Sequence, residues 1–236
     1  MGKSLIQQKR GKGSITYRSP GHNYYGPAKH AGLSNVQING KILDIVHCPG
    51  HYTPLAKVRY DNGENIFLLA PEGIRVGDDV VMGPNAPIKA GNTVPLKDVP
   101  EGTLVYNIEN NPGDGGKFCR AAGTFARVLS HISNGVLIEL PSKKTKRFLP
   151  ECRVNIGMLA AGGRKEKPFL KAGKKWHAYK VRNRVYPTVS GVSMNAVDHP
   201  FGGSSSHTKG RPTQASRNDP PGRKVGKIAP KRTGRK

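Results

Sequence analysis

Acidic residues are scarce in this chain of 236 residues. Lys and Arg number 39 against 15 Asp and Glu, so the formal net charge at pH 7 is +24. An excess of this size destabilises a compact, isolated protein through self-repulsion, and it is typical of proteins that bind a polyanion. The imbalance therefore predicts a nucleic acid as the main partner.

Cysteines, aromatic residues and long apolar runs are also few. The three cysteines, Cys48, Cys119 and Cys152, form an odd and scattered set, which indicates a reducing compartment without disulfides. Aromatic residues make up 6% of the chain, which favours small cores. No apolar run approaches the ~20 residues of a membrane helix, and the basic N-terminus lacks a signal-peptide pattern. We therefore expect a cytoplasmic protein with no membrane partner.

The basic residues are concentrated at the two ends. Residues 1–33 hold six Lys or Arg and no acid, residues 34–163 hold 14 bases and 12 acids, and residues 164–236 hold 19 bases and three acids. Basic extensions around a nearly neutral body are typical of nucleic-acid anchors. We predict an N-terminal extension (1–33), two folded domains (34–84 and 85–163) and a C-terminal extension (164–236).

Short strands separated by turns dominate the part between the extensions. Asp61-Asn62-Gly63-Glu64 joins two strand-like segments and is a strong hairpin signal, and Ser133-Asn134-Gly135 is a second tight turn. The strand candidates are residues 36–38, 42–46, 55–60, 65–70, 80–82, 103–108, 124–130, 136–140, 146–149 and 153–156. The pattern predicts an all-β fold of two barrels in tandem. One short helix is expected within residues 168–179.

Residues 191–203 carry an Asp-His pair on a backbone that is unlike a helix or strand. Pro200 removes a donor and favours extended geometry at His199, and we expect structured RNA to fix this segment. Asp198 and His199 are also the parts of a general-base pair, so a nucleic-acid-modifying enzyme is an alternative. No nucleophile elbow accompanies them. The favoured interpretation is that they hydrogen-bond RNA or the local loop.

A glycine-rich segment, residues 110–117, resembles a phosphate-cradling loop. Phe118 follows Lys117 where a P-loop needs Ser or Thr, and no helix follows, so nucleotide binding is disfavoured. The favoured interpretation is a loop whose backbone amides approach RNA phosphates, with help from Lys117 and Arg120.

A short cluster offers potential metal ligands at His47, Cys48 and His51. A zinc site usually needs four ligands, and no second cluster lies at suitable spacing, so no metal site is predicted. Cys119 and Cys152 are expected to be buried small residues. Tyr24 and Tyr25 have two open interpretations, stacking on RNA bases or docking against the folded body.

Two C-terminal motifs closely resemble a known family. They are Met194-Asn195-Ala196-Val197-Asp198-His199-Pro200-Phe201-Gly202-Gly203 and Arg217-Asn218-Asp219-Pro220-Pro221-Gly222-Arg223-Lys224-Val225-Gly226. Both are similar to the universal large-subunit ribosomal proteins of the L-two family. Gly2-Lys3-Ser4-Leu5-Ile6-Gln7-Gln8 and Arg120-Ala121-Ala122-Gly123-Thr124 fit its archaeal and eukaryotic-cytoplasmic branch, and archaeal origin is favoured. The resemblance covers essentially the whole chain.

The resemblance implies an OB-fold barrel followed by an SH3-like barrel, with long irregular basic extensions that thread into large-subunit ribosomal RNA. It implies a structural protein and not an enzyme. The implied function is to support the assembly and shape of the peptidyl-transferase region, subunit association and tRNA binding. In the family, the histidine matching His199 has been proposed to assist peptide-bond formation, but we expect a structural role because RNA forms the catalytic site.

The partners implied are large-subunit ribosomal RNA, other large-subunit proteins and, through an intersubunit contact, the small subunit. No cofactor is expected apart from Mg²⁺ associated with the RNA. A DNA-compacting protein is the remaining alternative. The expected RNA contacts are Lys3, Gln7, Lys9, Arg10, Lys12, Arg18, His22, Lys117, Arg120, Arg164, Lys171, Lys174, Lys175, Arg182, Arg184, Asn195, Asp198, His199, Lys209, Arg211, Arg217, Asn218, Arg223, Lys224, Lys227, Lys231, Arg232 and Arg235.

Overall fold

The computed structural model describes residues 5–203 and 213–231 of the chain. Its contacts divide the chain into two compact units. The body is Gly21–Pro168, and the terminal unit joins the two ends, Met1–Pro20 and Phe169–Lys236. Among the described residues, no helix combines the length and the apolar character needed to cross a bilayer.

Ten strands form one continuous sheet in the body. They are β1 (Ile38–Val46), β2 (Leu55–Tyr60), β3 (Asn65–Leu69), β4 (Asp79–Met82), β5 (Thr93–Pro95), β6 (Leu104–Tyr106), β7 (Ala126–Ile132), β8 (Gly135–Glu139), β9 (Thr145–Phe148) and β10 (Arg153–Ile156). Their order is β3-β2-β1-β4-β5-β10-β6-β7-β8-β9. Neighbours pair antiparallel except β4 and β5, which meet in one parallel pair, Met82 with Thr93. The predicted all-β class is confirmed, but strand pairing among the described residues does not close the sheet into barrels.

The alternation of apolar and basic residues explains why β2 forms where the sequence predicts it. Ala56, Val58 and Tyr60 are buried, whereas Lys57 and Arg59 between them are exposed. Side chains on a strand point alternately to its two faces, so this pattern places the apolar set in the core. Burial of a large apolar side chain contributes about 1.5–3 kcal/mol, which holds the strand to the sheet.

Both predicted tight turns are present. Between β2 and β3, Gly63 takes a φ of 87°, a left-handed conformation that glycine adopts without steric cost. Asn62 Oδ1 accepts a hydrogen bond from Glu64 N at 3.0 Å, which fixes the turn. Between β7 and β8, Ile132 lies opposite Gly135, so Ser133 and Asn134 form the loop.

Two details differ from the sequence pattern. Val36 is exposed and lies outside any strand, because β1 begins at Ile38. The pattern does not predict β5, which has three residues and ends in proline. Its strand conformation comes from pairing with β10, where Val94 lies opposite Val154.

Three buried apolar clusters stabilise the body. One lies along β5 to β10 and includes Val94, Leu96, Val105, Ile108, Val128, Ile138, Phe148, Cys152 and Val154. A second lies under β1 to β4 and includes Ile42, Val58, Tyr60, Leu68, Val80 and Met82. A third contains Ala28, Cys48, Leu55, Leu69, Tyr106 and Leu159. Because its members come from both halves of the sheet, the third cluster ties the two halves together.

The terminal unit contains little regular structure. Its helices are α1 (Ile6–Gly11) and α2 (Ala172–Lys180), and its two short strands, β11 (Gln214–Ala215) and β12 (Lys227–Ile228), pair parallel. The position of α2 confirms the predicted short helix. Its N-cap residue, Lys171, is extended and offers no side-chain hydrogen bond to the helix. Neither helix has a buried residue.

Candidate nucleic-acid interface

The N-terminal segment of the terminal unit presents polar and basic side chains to solvent. Lys9 and Arg10 lie in the last turn of α1, where the partial negative charge of a helix C-terminus favours cations. Lys180 Nζ donates to Ile15 O at 3.0 Å, so α2 holds this segment in place. The exposed candidates here are Gln7, Lys9, Arg10, Lys12 and Arg18.

Helix α2 and the segment after it form a cluster of cations and aromatic rings. Lys175 Nζ lies 4.9 Å from the Tyr186 ring centroid and 5.7 Å from that of Tyr179. The two tyrosine rings meet edge to face at 5.6 Å. Arg184 lies 6.0 Å from Tyr179, the outer limit of a cation–π contact. The cluster orders the basic side chains of this segment. Lys171, Lys174 and Arg184 remain exposed, and Lys175 and Arg182 are half-buried.

Residues 194–203 form a loop closed by its own backbone. Asn195 O accepts hydrogen bonds from Asp198 N at 2.9 Å and His199 N at 3.2 Å. Gly203 N donates to Met194 O at 3.2 Å, which joins the two ends of the loop. The loop is therefore shaped in part by its own hydrogen bonds, whereas the sequence predicts that bound RNA fixes it. Asn195 and Asp198 are exposed on it.

His199 is oriented by this loop. Phe201 N donates to His199 Nδ1 at 3.0 Å, so the proton of the neutral ring belongs on Nε2. The ring packs on Gly191, where a Cβ would overlap it, and lies 5.1 Å from the Phe201 ring. Because the Nδ1 lone pair is used within the loop, the group that His199 presents to a partner is a hydrogen-bond donor. This arrangement fits a structural role better than a general base.

The last described segment is shaped by short-range turns. Ser216 N donates to Asp219 Oδ2 at 2.8 Å, and Asn218 N donates to Ser216 Oγ at 3.3 Å. Phe201 packs against Gly226, which links the His199 loop to this segment. The exposed candidates here are Arg217, Asn218, Arg223, Lys224, Lys227 and Lys231. Lys3, Lys209, Arg211, Arg232 and Arg235 lie outside the described residues.

The glycine-rich loop of the body does not offer its amides to a ligand. Asp114 accepts hydrogen bonds from the amides of Asn110, Asn111 and Gly116, at 3.0, 3.2 and 3.0 Å. These bonds hold the pKa of Asp114 below its usual value against the opposing effect of burial. The prediction that these amides approach RNA phosphates is therefore wrong, because a protein carboxylate already occupies the positions that a phosphate would take.

Arg120 is also drawn into the protein. Its Nη2 donates to Ala28 O at 2.6 Å and its Nη1 to Gly116 O at 2.9 Å. Two of its donors thus pin the start of the body to the glycine-rich loop. Lys117 and His22, in contrast, remain exposed.

The sequence reading missed a buried ion pair next to this loop. Arg153 Nη2 lies 2.8 Å from Glu109 Oε1, and both side chains are almost fully buried. Arg153 Nη1 donates to Ala31 O at 2.7 Å and to Gly32 O at 3.0 Å. Glu109 also accepts from Gly115 N at 3.1 Å. Arg153 begins a predicted strand and Glu109 follows another, and one charged residue at such a position gives no sign of its distant partner.

A second missed feature is an exposed arginine stacked on a tyrosine. The guanidinium carbon of Arg164 lies 3.5 Å from the Tyr52 ring centroid. Arg164 is a predicted RNA contact, but nothing in the pattern around Tyr52 indicates the pairing. The two residues are 112 positions apart in the sequence.

Of the two interpretations of Tyr24 and Tyr25, stacking on RNA bases or docking against the folded body, the structure favours docking for Tyr24. Its half-buried ring lies against Gly50, within 3.0 Å of where a Cβ would be. Tyr25 lies 6.1 Å from the Phe67 ring but stays 57% exposed. Only Tyr25 therefore keeps a surface on which a base can stack.

Two of the three candidate metal ligands, Cys48 and His51, contact each other. His51 Nδ1 lies 3.2 Å from Cys48 Sγ, and Cys48 is fully buried. No group of three or more metal-ligand side chains occurs in the part of the chain that the structure describes. Burial raises the pKa of the Cys119 thiol to about 12 and that of Cys152 to about 11, so neither is a reactive thiolate.

Two family models match most of the chain. Residues 4–82 match "Ribosomal Proteins L2, RNA binding N-terminal domain". Residues 89–219 match "Ribosomal Proteins L2, C-terminal domain". The gap between the two matches falls between β4 and β5, where the sheet changes from its four-stranded to its six-stranded part.

Archaeal relatives match from end to end. The large ribosomal subunit protein uL2 of Methanobrevibacter smithii is 51% identical over 240 residues, covering all of both chains. That of Haloquadratum walsbyi is 52% identical over 236 residues, covering all of this chain and 97% of its own. That of Natronomonas pharaonis is 49% identical over the same lengths. The chain therefore belongs to the ribosomal protein L2 family, as the motifs around His199 and Arg223 predict.

Proposed function

We propose that this chain is a structural protein of the large ribosomal subunit whose terminal unit binds large-subunit ribosomal RNA. One observation carries the proposal: Ala215 is the only buried residue among those described in the terminal unit. A unit with so little core gains too little from apolar burial to offset the entropy of ordering its chain. Another source of stability is needed, and its cations favour a polyanion.

Helix α2 illustrates this need. It has nine residues, buries none of them and carries no acid in its first turn. Isolated helices shorter than ~12–15 residues are marginal in water. Phosphates placed beside Lys174 and Lys175 would stabilise it, and Lys171 at its N-cap would meet the same backbone.

The body is proposed to direct the two extensions. Residues 34–84 are taken as an OB-fold barrel and residues 85–163 as an SH3-like barrel. The two family-model matches and the change of sheet structure between β4 and β5 support this division. Lys117 and His22 are exposed on the body and give it a modest RNA-binding face of its own. Arg120 is a weaker candidate, since its guanidinium already bonds two backbone carbonyls.

The loop of residues 194–203 is proposed to reach the peptidyl-transferase region and to support its shape. The closed backbone and the fixed ring of His199 suit a part that fills a defined space in folded RNA. Asn195 and Asp198 would bond sugars or phosphates there. Subunit association, tRNA binding, contact with the small subunit and contact with neighbouring large-subunit proteins belong to the same proposal.

Of the two alternatives, the enzyme is rejected by membership of a family of structural ribosomal proteins. A DNA-compacting protein would bind duplex DNA as tightly as ribosomal RNA. We expect a clear preference for the RNA in a competition assay at one salt concentration.

Removal of residues 190–236 tests the proposal. The shortened chain should keep the circular dichroism of a folded β protein, because the sheet lies within Gly21–Pro168. It should fail to enter large subunits stably when these are reconstituted and sedimented through a gradient. Normal incorporation into active subunits would contradict the proposed role of the terminal unit.

A further inference from the structure

We propose that Arg164, stacked on Tyr52, forms a binding site for one unpaired nucleotide of RNA. The base of this nucleotide stacks on the outer face of the guanidinium, and its phosphate accepts hydrogen bonds from the guanidinium N–H groups. The proposal rests on the proposed RNA-binding function and assigns one position of the body to it.

The stack is close and one face of it is open. A distance of 3.5 Å between the guanidinium carbon and the Tyr52 ring centroid places the guanidinium in van der Waals contact with the ring. Arg164 is nevertheless exposed, while Tyr52 is half-buried. Tyr52 therefore covers one face of the guanidinium, and the other face is directed to solvent.

The donors of Arg164 are not used by the protein. Among the described residues, its guanidinium has no hydrogen bond and no ion pair, unlike those of Arg153 and Arg120. Five N–H groups are thus held at the edge of a fixed plane without acceptors. A nucleotide supplies a partner for each part of the guanidinium. Its flat base stacks on the face, and its phosphate oxygens accept hydrogen bonds from the N–H groups at the edge.

The two partners are held in place by a shared core. Cys48 precedes Tyr52 by four residues and Leu159 precedes Arg164 by five, and both are fully buried in the same apolar cluster. Thr53, next to Tyr52, is 1% exposed. Both segments therefore reach the surface from anchored positions.

The approach to Arg164 is fixed by backbone hydrogen bonds. Ala160 N donates to Ala70 O at 3.1 Å, and Gly123 N donates to Ala160 O at 3.1 Å. Ala161 then takes a left-handed φ of 64° before the turn Gly162–Lys165. Because the site is ordered before RNA arrives, little entropy is lost when a base stacks on it.

Replacement of Arg164 by Lys tests the site, since lysine keeps the charge but cannot stack as a plane. The affinity of the full chain for archaeal large-subunit ribosomal RNA, transcribed in vitro, should fall about tenfold, as expected for one lost stacking contact. The slope of log affinity against log salt should stay unchanged. Arg75→Lys is the matched control, because Arg75 is exposed on the body with no aromatic partner among the described residues. It should change the affinity by less than about twofold.

Variants of Tyr52 supply a second test. Tyr52→Phe keeps the ring and should bind as the unaltered chain does, whereas Tyr52→Leu should lose about as much affinity as Arg164→Lys. The double variant should be no weaker than either single one, because both changes remove the same stack. Thermal unfolding shows whether the Leu variant is folded.

The outcomes separate the site from the general function. If Arg164→Lys binds as tightly as the unaltered chain, or loses no more than Arg75→Lys, the nucleotide site is refuted while RNA binding stands. If Arg164→Ala lowers the salt slope by about one and Arg164→Lys restores full affinity, Arg164 contacts a phosphate only, and the stacking site is refuted. If the unaltered chain has no affinity for the RNA, the proposed function itself fails.

Discussion

At the scale of single residues, one buried carboxylate organises the centre of the body. Glu109 receives hydrogen bonds from Arg153, Gly113 and Gly115, while Arg153 reaches on to the carbonyls of Ala31 and Gly32. Three segments that are distant in the sequence therefore meet at one ion pair. Burial alone would raise the pKa of Glu109, but the hydrogen bonds and charge of Arg153 hold that pKa below its usual value.

Replacing Glu109 by Gln should be strongly destabilising. The buried guanidinium of Arg153 would lose its counter-charge, and breaking a buried ion pair in this way costs about 3–5 kcal/mol. The free energy of unfolding of the full chain in urea measures the loss. Glu151→Gln, at an exposed position two residues before Arg153, should change it by less than about 0.5 kcal/mol. Equal effects of the two changes would show that the pair contributes nothing specific.

His30 should make the body less stable in weak acid. Burial and the nearby charge of Arg153 lower the pKa of His30 from 6.5 to about 4, with Glu109 opposing and Arg120 adding to the shift. The folded state therefore favours the neutral ring, and the unfolded state binds more protons between these two values. The contribution of the neutral His30 ring to the free energy of unfolding is complete above about pH 6.5. It is lost as the pH falls towards 4, by on the order of 3 kcal/mol.

Urea denaturation at a series of pH values measures this dependence. His30→Gln removes the titrating ring and should flatten the curve between about pH 6.5 and 5.5, where the carboxyls of the folded and the unfolded chain stay largely ionised. The ring donates from Nε2 to Asn107 O at 2.8 Å, and its Nδ1 has no partner among the described residues. A second proton would thus enter a buried position without an acceptor. A curve with the same slope in the variant would assign the acid sensitivity to other groups.

At the scale of elements, two loops of the body cross at a pair of glycines. Gly123 has a φ of 71°, and a Cβ added to it would overlap the Cα of Gly162. The crossing brings the segment after β10 against the segment before β7. Only residues without side chains allow the two backbones to approach this closely.

Replacing Gly123 by Ala should therefore lower the free energy of unfolding by about 2–4 kcal/mol, because a left-handed alanine is strained and the crossing must open. Gly173→Ala is the matched control. Gly173 lies in α2 with nothing near its added Cβ, so the change should strengthen the helix by about 0.5–1 kcal/mol. Circular dichroism and urea denaturation follow the two effects, and a harmless Gly123→Ala would show that the crossing can relax.

The elements also show what local sequence encodes. The strand over Leu55–Tyr60 and the turn at Gly63 follow from alternation and turn chemistry, which act within a few residues. β5 does not, because its partner β10 is about sixty positions away. The buried pairing of Glu109 with Arg153, 44 positions away, likewise depends on the fold. The stack of Arg164 on Tyr52 depends on the fold in the same way.

At the scale of the whole molecule, apolar burial and net charge are separated along the chain. The buried clusters lie in the body, where residues 34–163 are close to neutral, whereas residues 1–33 and 164–236 together carry 25 of the 39 Lys and Arg. A single unit with both properties would have to fold against its own repulsion. In this arrangement the body folds on apolar burial, and most of the cations lie in the extensions, where the proposed function uses them to bind RNA.

This separation predicts how RNA binding depends on salt. If about ten of the 25 cations contact phosphates, log affinity should fall with log salt with a slope of about −7 to −9, because each contact releases condensed counterions. Filter binding to ribosomal RNA over a series of potassium chloride concentrations gives the slope. The body alone, after circular dichroism has shown that it is folded, should give a much shallower one. If the body reproduced the full slope, the phosphate contacts would lie on the sheet and the extensions would have another purpose.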